Sequence, residues 1–325
     1  MRYYIALDIG ATKIGLAICN RERILDKITH RTPRDEQPNS ISELIVRLIK
    51  EKWSSYLPDV DAIGVATIGP LDIAKGAVVN TPNVPARSFE IRKPLVEEFK
   101  KPTHVVNDCV AAVWGEKLYG DAREVDNVVY LTLSTGVGAG VIIDGDLILG
   151  KAGNAHEVGH IVVNFNSDLP CGCGGRGHWE SYAGGANLPR VAAYIAEKEK
   201  VKSKLAGKVL SKEHIDAKGI FDYYRVGDAL ATKVVELYIS ATAAGLASVI
   251  NAYDPELVLL GGGVFLNNVD VLYKPIVSLI KSNVVTKMPA IRTTRLGDDV
   301  ALYGSLAIAT NPPLKLIKIQ KSFRS

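Results

Sequence analysis

Apolar residues fall into two blocks that match one another along the chain. Residues 3–20, YYIALDIGATKIGLAICN, read as strand, turn and strand, and residues 23–30 continue as a third strand. A second β-rich run starts at residue 128 and enters a turn holding Ser134, Thr135, Gly136, Gly138 and Gly140. It leaves through the apolar run 141–143. Aligning LDIGATKIGLAI with LSTGVGAGVII places each glycine turn between two apolar strands, which predicts a twofold internal repeat and two similar domains. Between the blocks, Ile41, Leu44, Ile45, Leu48 and Ile49 follow helical spacing behind a capping box of Ser40 and Glu43. Residues 61–72 read as a buried strand ending in a Gly-Pro turn, and 75–86 as a loop, with Asn83 between Pro82 and Pro85. Residues 91–99 read as a helix, and 103–120 as a strand running into a helix with Asn107 and Asp108 at the junction. Downstream come a polar helical stretch, 186–225, and a long Ala-rich buried helix, 229–252. A strand, 256–264, then enters a triple-glycine turn, followed by a helix, 268–282, a strand, 290–296, and a last helix capped by Asp298. Strands alternating with helices, together with hairpins, predict an α/β fold with mixed sheets.

Size and composition narrow this. A chain of 325 residues has room for two domains, and 47% apolar with 23% charged residues is ordinary for a globular protein. The net charge is +4, with basic residues scattered except in the tail KLIKIQKSFRS. That tail reads as a solvated end rather than a nucleic-acid arm, so no nucleic acid partner is expected. No apolar run reaches the roughly 18–20 residues of a membrane span and no signal peptide opens the chain, so the expected location is cytoplasmic, away from membranes. The first strand begins almost at Met1, so no DNA-binding helix-turn-helix is expected before it. Cys19 and Cys109 lie in apolar contexts, whereas the one-residue spacing of Cys171 and Cys173 favours metal binding over a disulfide.

The candidate chemistry clusters at the turns. Glycine lets a ligand approach the main chain closely, and exposed N–H groups suit phosphate oxygens. Asp8 ends the first strand, just before Gly10, Thr12 and Lys13; a carboxylate there can hold Mg2+ while Thr12 and the turn amides meet phosphate. No P-loop occurs, and Gly136-x-Gly138-x-Gly140 leads into a strand, unlike a dinucleotide fingerprint. Asp108 can cap its helix. It can also take a proton from a substrate hydroxyl, since α/β sheets bind ligands at the C-terminal ends of strands, and the two roles are compatible. Glu157, His160, Glu180 and Asn83 carry the acceptors and donors that a polyol needs, which with a phosphate cradle suggests a sugar pocket. His160, Cys171, Cys173 and His178 make the four ligands of a closed structural zinc site; the alternative is two free thiols and two surface histidines. Such a zinc would make Glu157, His160 and Glu180 converge, with His160 offering its second ring nitrogen to the ligand.

Five motifs then carry a resemblance: DIGATK at 8–13, NDCVAAVWGE at 107–116, LSTGVGAGVIIDGDLILG at 133–150, HEVGH at 156–160 and CGCGGRGHWE at 171–180. NAYDPELVLLGGGV at 251–264 adds a sixth. Together they resemble the ROK family of sugar kinases, of the archaeal-like hexokinase or glucokinase type, within the actin-like ATPase (ribonuclease H-like) superfamily. The resemblance implies a two-domain fold with an inter-domain cleft for ATP and a hexose. A small domain, 1–112 plus 305–325, would be completed by the C-terminal helix, and 113–304 would form the large domain. It makes Asp108 the catalytic base and Asn83, Asn107, Asp108, Glu157, His160 and Glu180 the sugar ligands. Gly10, Ala11, Thr12, Lys13, Thr135, Gly136 and Gly262 would lie at the nucleotide, and Asp8 would serve Mg2+. The implied reaction is transfer of the γ-phosphoryl of ATP to the 6-hydroxyl of a hexose, by an enzyme that is commonly a homodimer. Glucose, mannose, fructose, glucosamine and N-acetylated amino sugars stay open as substrates. The family also contains sugar-responsive repressors, and a non-catalytic sugar-binding protein is a further alternative. Three departures stand out: Ala11 replaces the usual Gly, Ala155-His156 replaces the usual Ala-Gly, and His178 replaces the third Cys of the metal cluster.

Overall fold

The structure, a computed structural model, describes residues 2–81 and 84–321, so Asn83 lies outside the described residues. The chain divides into two compact units. One comprises Met1–Tyr130, Gly140–His156 and Thr294–Ser325, the other Leu131–Ala139 and Glu157–Thr293.

The first unit opens with the antiparallel strands β1 (Tyr3–Ile9), β2 (Lys13–Cys19) and β3 (Ile24–Arg31). Helix α1 (Ser40–Trp53) leads to β4 (Val60–Thr67), which pairs parallel with β1. A small sheet of β5 (Leu71–Asp72), β6 (Ala77–Val78) and β7 (Phe89–Glu90) precedes α2 (Arg92–Phe99). Then β8 (Thr103–Asn107) joins β4 in parallel and runs directly into α3 (Asp108–Leu118). The five-stranded order is β3-β2-β1-β4-β8. Alternate residues of β1 and β2 feed two cores, as a two-faced sheet requires. Ile5, Leu7, Ile9, Ile14 and Leu16 pack with Ile41, Ile45 and Ile49 of α1, whereas Tyr4, Ala6 and Ala17 pack on the opposite side.

The chain passes from one unit to the other within β9 (Val128–Leu133) and returns within β10 (Val137–Ile143), which hairpins with β11 (Asp146–Leu147). The second unit then carries α4 (Trp179–Ala183), α5 (Leu188–Glu199), α6 (Lys204–Leu210), α7 (Ala217–Arg225) and α8 (Ala229–Tyr253). It ends with β12 (Leu257–Gly261), α9 (Gly263–Leu266), α10 (Val269–Ile280) and β13 (Ala290–Thr293). The order β11-β10-β9-β12-β13 repeats that of the first sheet, in line with the internal repeat read from the sequence. Helix α8 is long and apolar enough to cross a membrane by length and composition, but 67% of its most apolar window is buried within the protein, as in a core helix.

Helices α11 (Val300–Thr310) and α12 (Leu314–Lys321) return to the first unit. Leu302 and Leu306 of α11 pack on Tyr4, Ala6 and Ala17. Ser305 donates its hydroxyl to Leu7 O at 2.6 Å and accepts the Ala66 N–H at 3.0 Å, bridging β1 and β4 immediately before Asp8.

Three local expectations are corrected. The capping box at Ser40 and Glu43 does not form: Asn39 occupies the cap position, and the Ser40 hydroxyl donates instead to Asp35 Oδ1 at 2.6 Å. Asp299, not Asp298, precedes α11, and its carboxylate is taken by Lys27 Nζ at 2.6 Å rather than by the helix. The basic tail is not simply a solvated end, because α12 buries Leu316 and Gln320.

Candidate active site

β1, β4 and β8 run parallel, and their C-terminal ends form one row with Ile9 beside Thr67 and Thr67 beside Asn107. This is the end of a parallel sheet at which α/β proteins bind ligands, because backbone and helix N-termini converge there. Asp8 and Asp108 both sit on it. Burial, and next the charge of Asp108, push Asp8 up to about 7, while the Lys13 ammonium pulls the other way. Asp108 is likewise raised by burial, against hydrogen bonds from Cys109 and Asn107 that favour its charged form. Two desolvated carboxylates that feel each other favour a cation between or beside them. The oxygen donors at Asp8 therefore fit Mg2+.

Asn107, rather than Asp108, caps α3: its Oδ1 accepts the Cys109 N–H at 2.8 Å, and Asp108 Oδ1 shares that donor at 2.8 Å. The Asn107 amide also reaches Thr67 O at 3.4 Å. Asp108 is thus the first residue of the helix, held on a buried cap. Thr67 was not singled out by the sequence. It lies between Ile9 and Asn107 with its Oγ1 buried and without a hydrogen-bond partner. Its only sequence signal is its place at the end of the buried run that precedes the Gly-Pro turn.

In the β1–β2 turn, Gly10 N–H donates to Lys13 O at 3.0 Å, so that amide is spent on the hairpin. Thr32 fixes the turn from β3's end, donating its N–H to Thr12 O at 3.1 Å and its hydroxyl to Gly10 O at 2.8 Å. Thr12 and Lys13 are exposed, and Ala11 rests partly buried against the core, which explains how a methyl group is tolerated there.

The second unit holds the other candidates. Thr135 is exposed on the β9–β10 turn, which closes by Ser134 N–H to Gly136 O at 3.0 Å. Val137 N–H donates to Glu180 Oε2 at 2.9 Å, and a Cβ on Gly136 would collide with that same carboxylate. A side chain at Gly136 would therefore push the Glu180 carboxylate from its present place. Gly262 adopts φ +90°, and a side chain there would meet the Leu133 backbone at 2.5 Å. Glu180 is positioned through its neighbour: Trp179 is fully buried, its ring occupies the notch left by Gly245 of α8, and its Nε1 donates to Thr242 Oγ1 at 3.4 Å.

His160, Cys171, Cys173 and His178 come together with all four ligand atoms within 4.8 Å of one another. Cys171 Sγ lies 3.7 Å from His160 Nδ1, and Cys173 Sγ lies 3.2 Å from His178 Nδ1. A tetrahedral zinc with bonds of about 2.0–2.3 Å needs ligand separations of roughly 3.5 Å, so the set fits zinc with small adjustments. Burial opposes ionisation of Cys171, but hydrogen bonds from His160, the Cys173 amide, His178 and Ser181 bring its thiol down to about 6. His160 Nε2 faces Glu157 Oε2 at 3.5 Å, so its two ring nitrogens point to the cysteine cluster and to the expected sugar ligand respectively.

A strand order that occurs twice, with a glycine hairpin in each copy, is that of the actin-like ATPase (ribonuclease H-like) fold. Residues 4–311 match the ROK family, and the chain belongs to it. It is 40% identical to a glucokinase of Pyrobaculum calidifontis over 318 residues, covering 98% of each chain. A ROK hexokinase from Thermus thermophilus superposes with a TM-score of 0.80 at 30% identity, covering 94% of this chain and 97% of that one. A ROK family glucokinase from Streptomyces griseus, solved with glucose and AMPPNP, gives 0.75 at 30% identity, covering 94% and 99%.

Proposed function

We infer that the protein is an ATP-dependent hexokinase that phosphorylates glucose. The observation that carries the reading is the pair of half-buried, desolvated carboxylates, Asp8 and Asp108, at the C-terminal end of one sheet, in a chain that aligns over 98% of its length with a glucokinase. Asp108 accepts the proton of the sugar 6-hydroxyl as that oxygen attacks the γ-phosphorus of ATP. The bond from that phosphorus to the β–γ bridging oxygen breaks, and ADP leaves. Burial raises the proton affinity of Asp108, which suits it to take the proton. Glu157, His160 and Glu180 bind the sugar hydroxyls. The exposed Thr12 and Thr135 meet phosphate oxygens. When bound, Mg2+ supplies positive charge that offsets the negative charge of the transferring group, and Asp8 would hold it. Zinc, when bound, would be held by His160, Cys171, Cys173 and His178 and would have an architectural role. Positioning provides most of the remaining catalysis, as is usual for this chemistry.

The test is a coupled ADP-release assay over a sugar panel with the wild type and Asp108→Ala. The variant is expected to lose turnover while its sugar affinity stays within about tenfold, roughly 1.4 kcal/mol. Wild-type-like turnover in the variant rejects the base assignment. Absence of sugar-dependent ADP release in the wild type rejects the kinase reading. Mannose, glucosamine and N-acetylglucosamine belong on the panel, because single hydroxyl or acetamido contacts decide such preferences.

A further inference from the structure

We propose that Gln320, near the end of the chain, is a positioning residue for Asp108. It acts by completing the open edge of the strand that delivers that carboxylate. The inference rests on Asp108 being the proton acceptor.

β8 is the terminal strand of its sheet and pairs with β4 on one side. In such a strand, every second residue turns its N–H and C=O away from the neighbour and leaves them without a ladder partner. On β8, Val105 is such a residue, and with a period of two so are Thr103 and Asn107. The Val105 N–H donates to Gln320 Oε1 at 3.4 Å, and Gln320 Nε2 donates back to Val105 O at 2.8 Å. One side-chain amide thus imitates the rung that a sixth strand would supply. The second Nε2 hydrogen goes to Ile73 O at 3.1 Å, just past β5, which fastens the rung to the small sheet. Arg92 Nε donates to Thr103 O at 3.1 Å, one outward position earlier. The next outward position is Asn107, whose side chain caps α3. Gln320 is 1% exposed, so water does not share these bonds.

Asp108 follows Val105 by three residues, with the α3 cap between. Loss of the amide leaves three buried backbone groups without partners and frees the end of β8 to shift. A displaced proton acceptor slows phosphoryl transfer more than it weakens binding. Glu157, His160 and Glu180 belong to the other unit. Leu316, fully buried on the same helix, is a second anchor for α12.

The experiment measures kcat and both KM values for the full-length wild type, Gln320→Ala, Gln320→Leu and Asp108→Ala. Each is assayed well below its own measured unfolding temperature. For both Gln320 variants we expect kcat to fall at least about tenfold with sugar and ATP KM within about threefold, because sub-ångström misplacement of a reacting group costs rate of that order. Leucine keeps the volume but not the hydrogen bonds, so recovery in Gln320→Leu overturns the proposal, as does a smaller fall in kcat or a KM change of equal size. Normal kinetics in the Gln320 variants beside an inactive Asp108→Ala reject only the positioning role. Full turnover in Asp108→Ala rejects the base assignment on which it rests.

Discussion

At Glu180, the carboxylate expected to bind sugar also accepts the Val137 N–H of the glycine hairpin and lies against Gly136. The sequence presented Gly136 as a place for phosphate and Glu180 as a place for sugar. Their contact joins residues 44 positions apart, and nothing in local pattern reports it. His156 is a second case. It stood out as a departure from the family motif, and the structure buries it, which brings its imidazole down to about 4. The unfolded chain takes up that proton below about 6.5, whereas the folded chain resists until about 4. The stability held by neutral His156 is therefore complete above 6.5 and is lost as pH falls toward 4, by about 3 kcal/mol over the window. Denaturation midpoints at pH 7 and pH 4.5 check this: wild type should lose more stability between the two than His156→Gln, and equal losses contradict the assignment.

Elements with strong periodicity were readable in advance. The β1–β2 hairpin, α8 and the β8–α3 junction follow from apolar runs and punctuating glycines. Caps were less readable. Ser40 and Asp299 have the right chemistry, but a nearby side chain, Asp35, takes the first and a distant one, Lys27, takes the second. The metal knuckle was legible as four ligands, but their convergence depends on backbone bonds such as Cys171 N–H to Gly175 O at 2.8 Å and Trp179 N–H to Ile161 O at 2.9 Å. Metal analysis of the purified protein should find one zinc per chain, and His178→Ala should hold substoichiometric zinc with a lower thermal midpoint. A strong chelator should lower the wild-type midpoint too, since binding energy at such sites is folding energy. A metal-free wild type with a midpoint unmoved by added zinc would refute the site.

Across the whole molecule, the first unit is assembled from three separated stretches of chain, so its core closes only when residues 294–325 return. The closure is steric. α3 and α11 cross where Gly115 meets Gly304, and a Cβ on Gly115 would lie 2.7 Å from the Gly304 nitrogen. Gly304→Val should therefore destabilise the protein by about 3 kcal/mol, because neither helix backbone can yield cheaply. A thermal midpoint unchanged from wild type would show that the crossing adapts. Local pattern along the chain sufficed for the α/β class, the repeated glycine hairpins and the residue types able to handle phosphate, sugar and metal. Those depend on periods of two and 3.6 residues and on side-chain chemistry, both written locally. It took the folded chain to bring Asp8 and Asp108 to the C-terminal end of one sheet, to set Thr67 between β1 and β8, and to seal β8 with Gln320. The Gln320–Val105 pairing alone spans 215 residues, and such pairings arise from packing and from the need to satisfy buried polar groups, which no local pattern encodes.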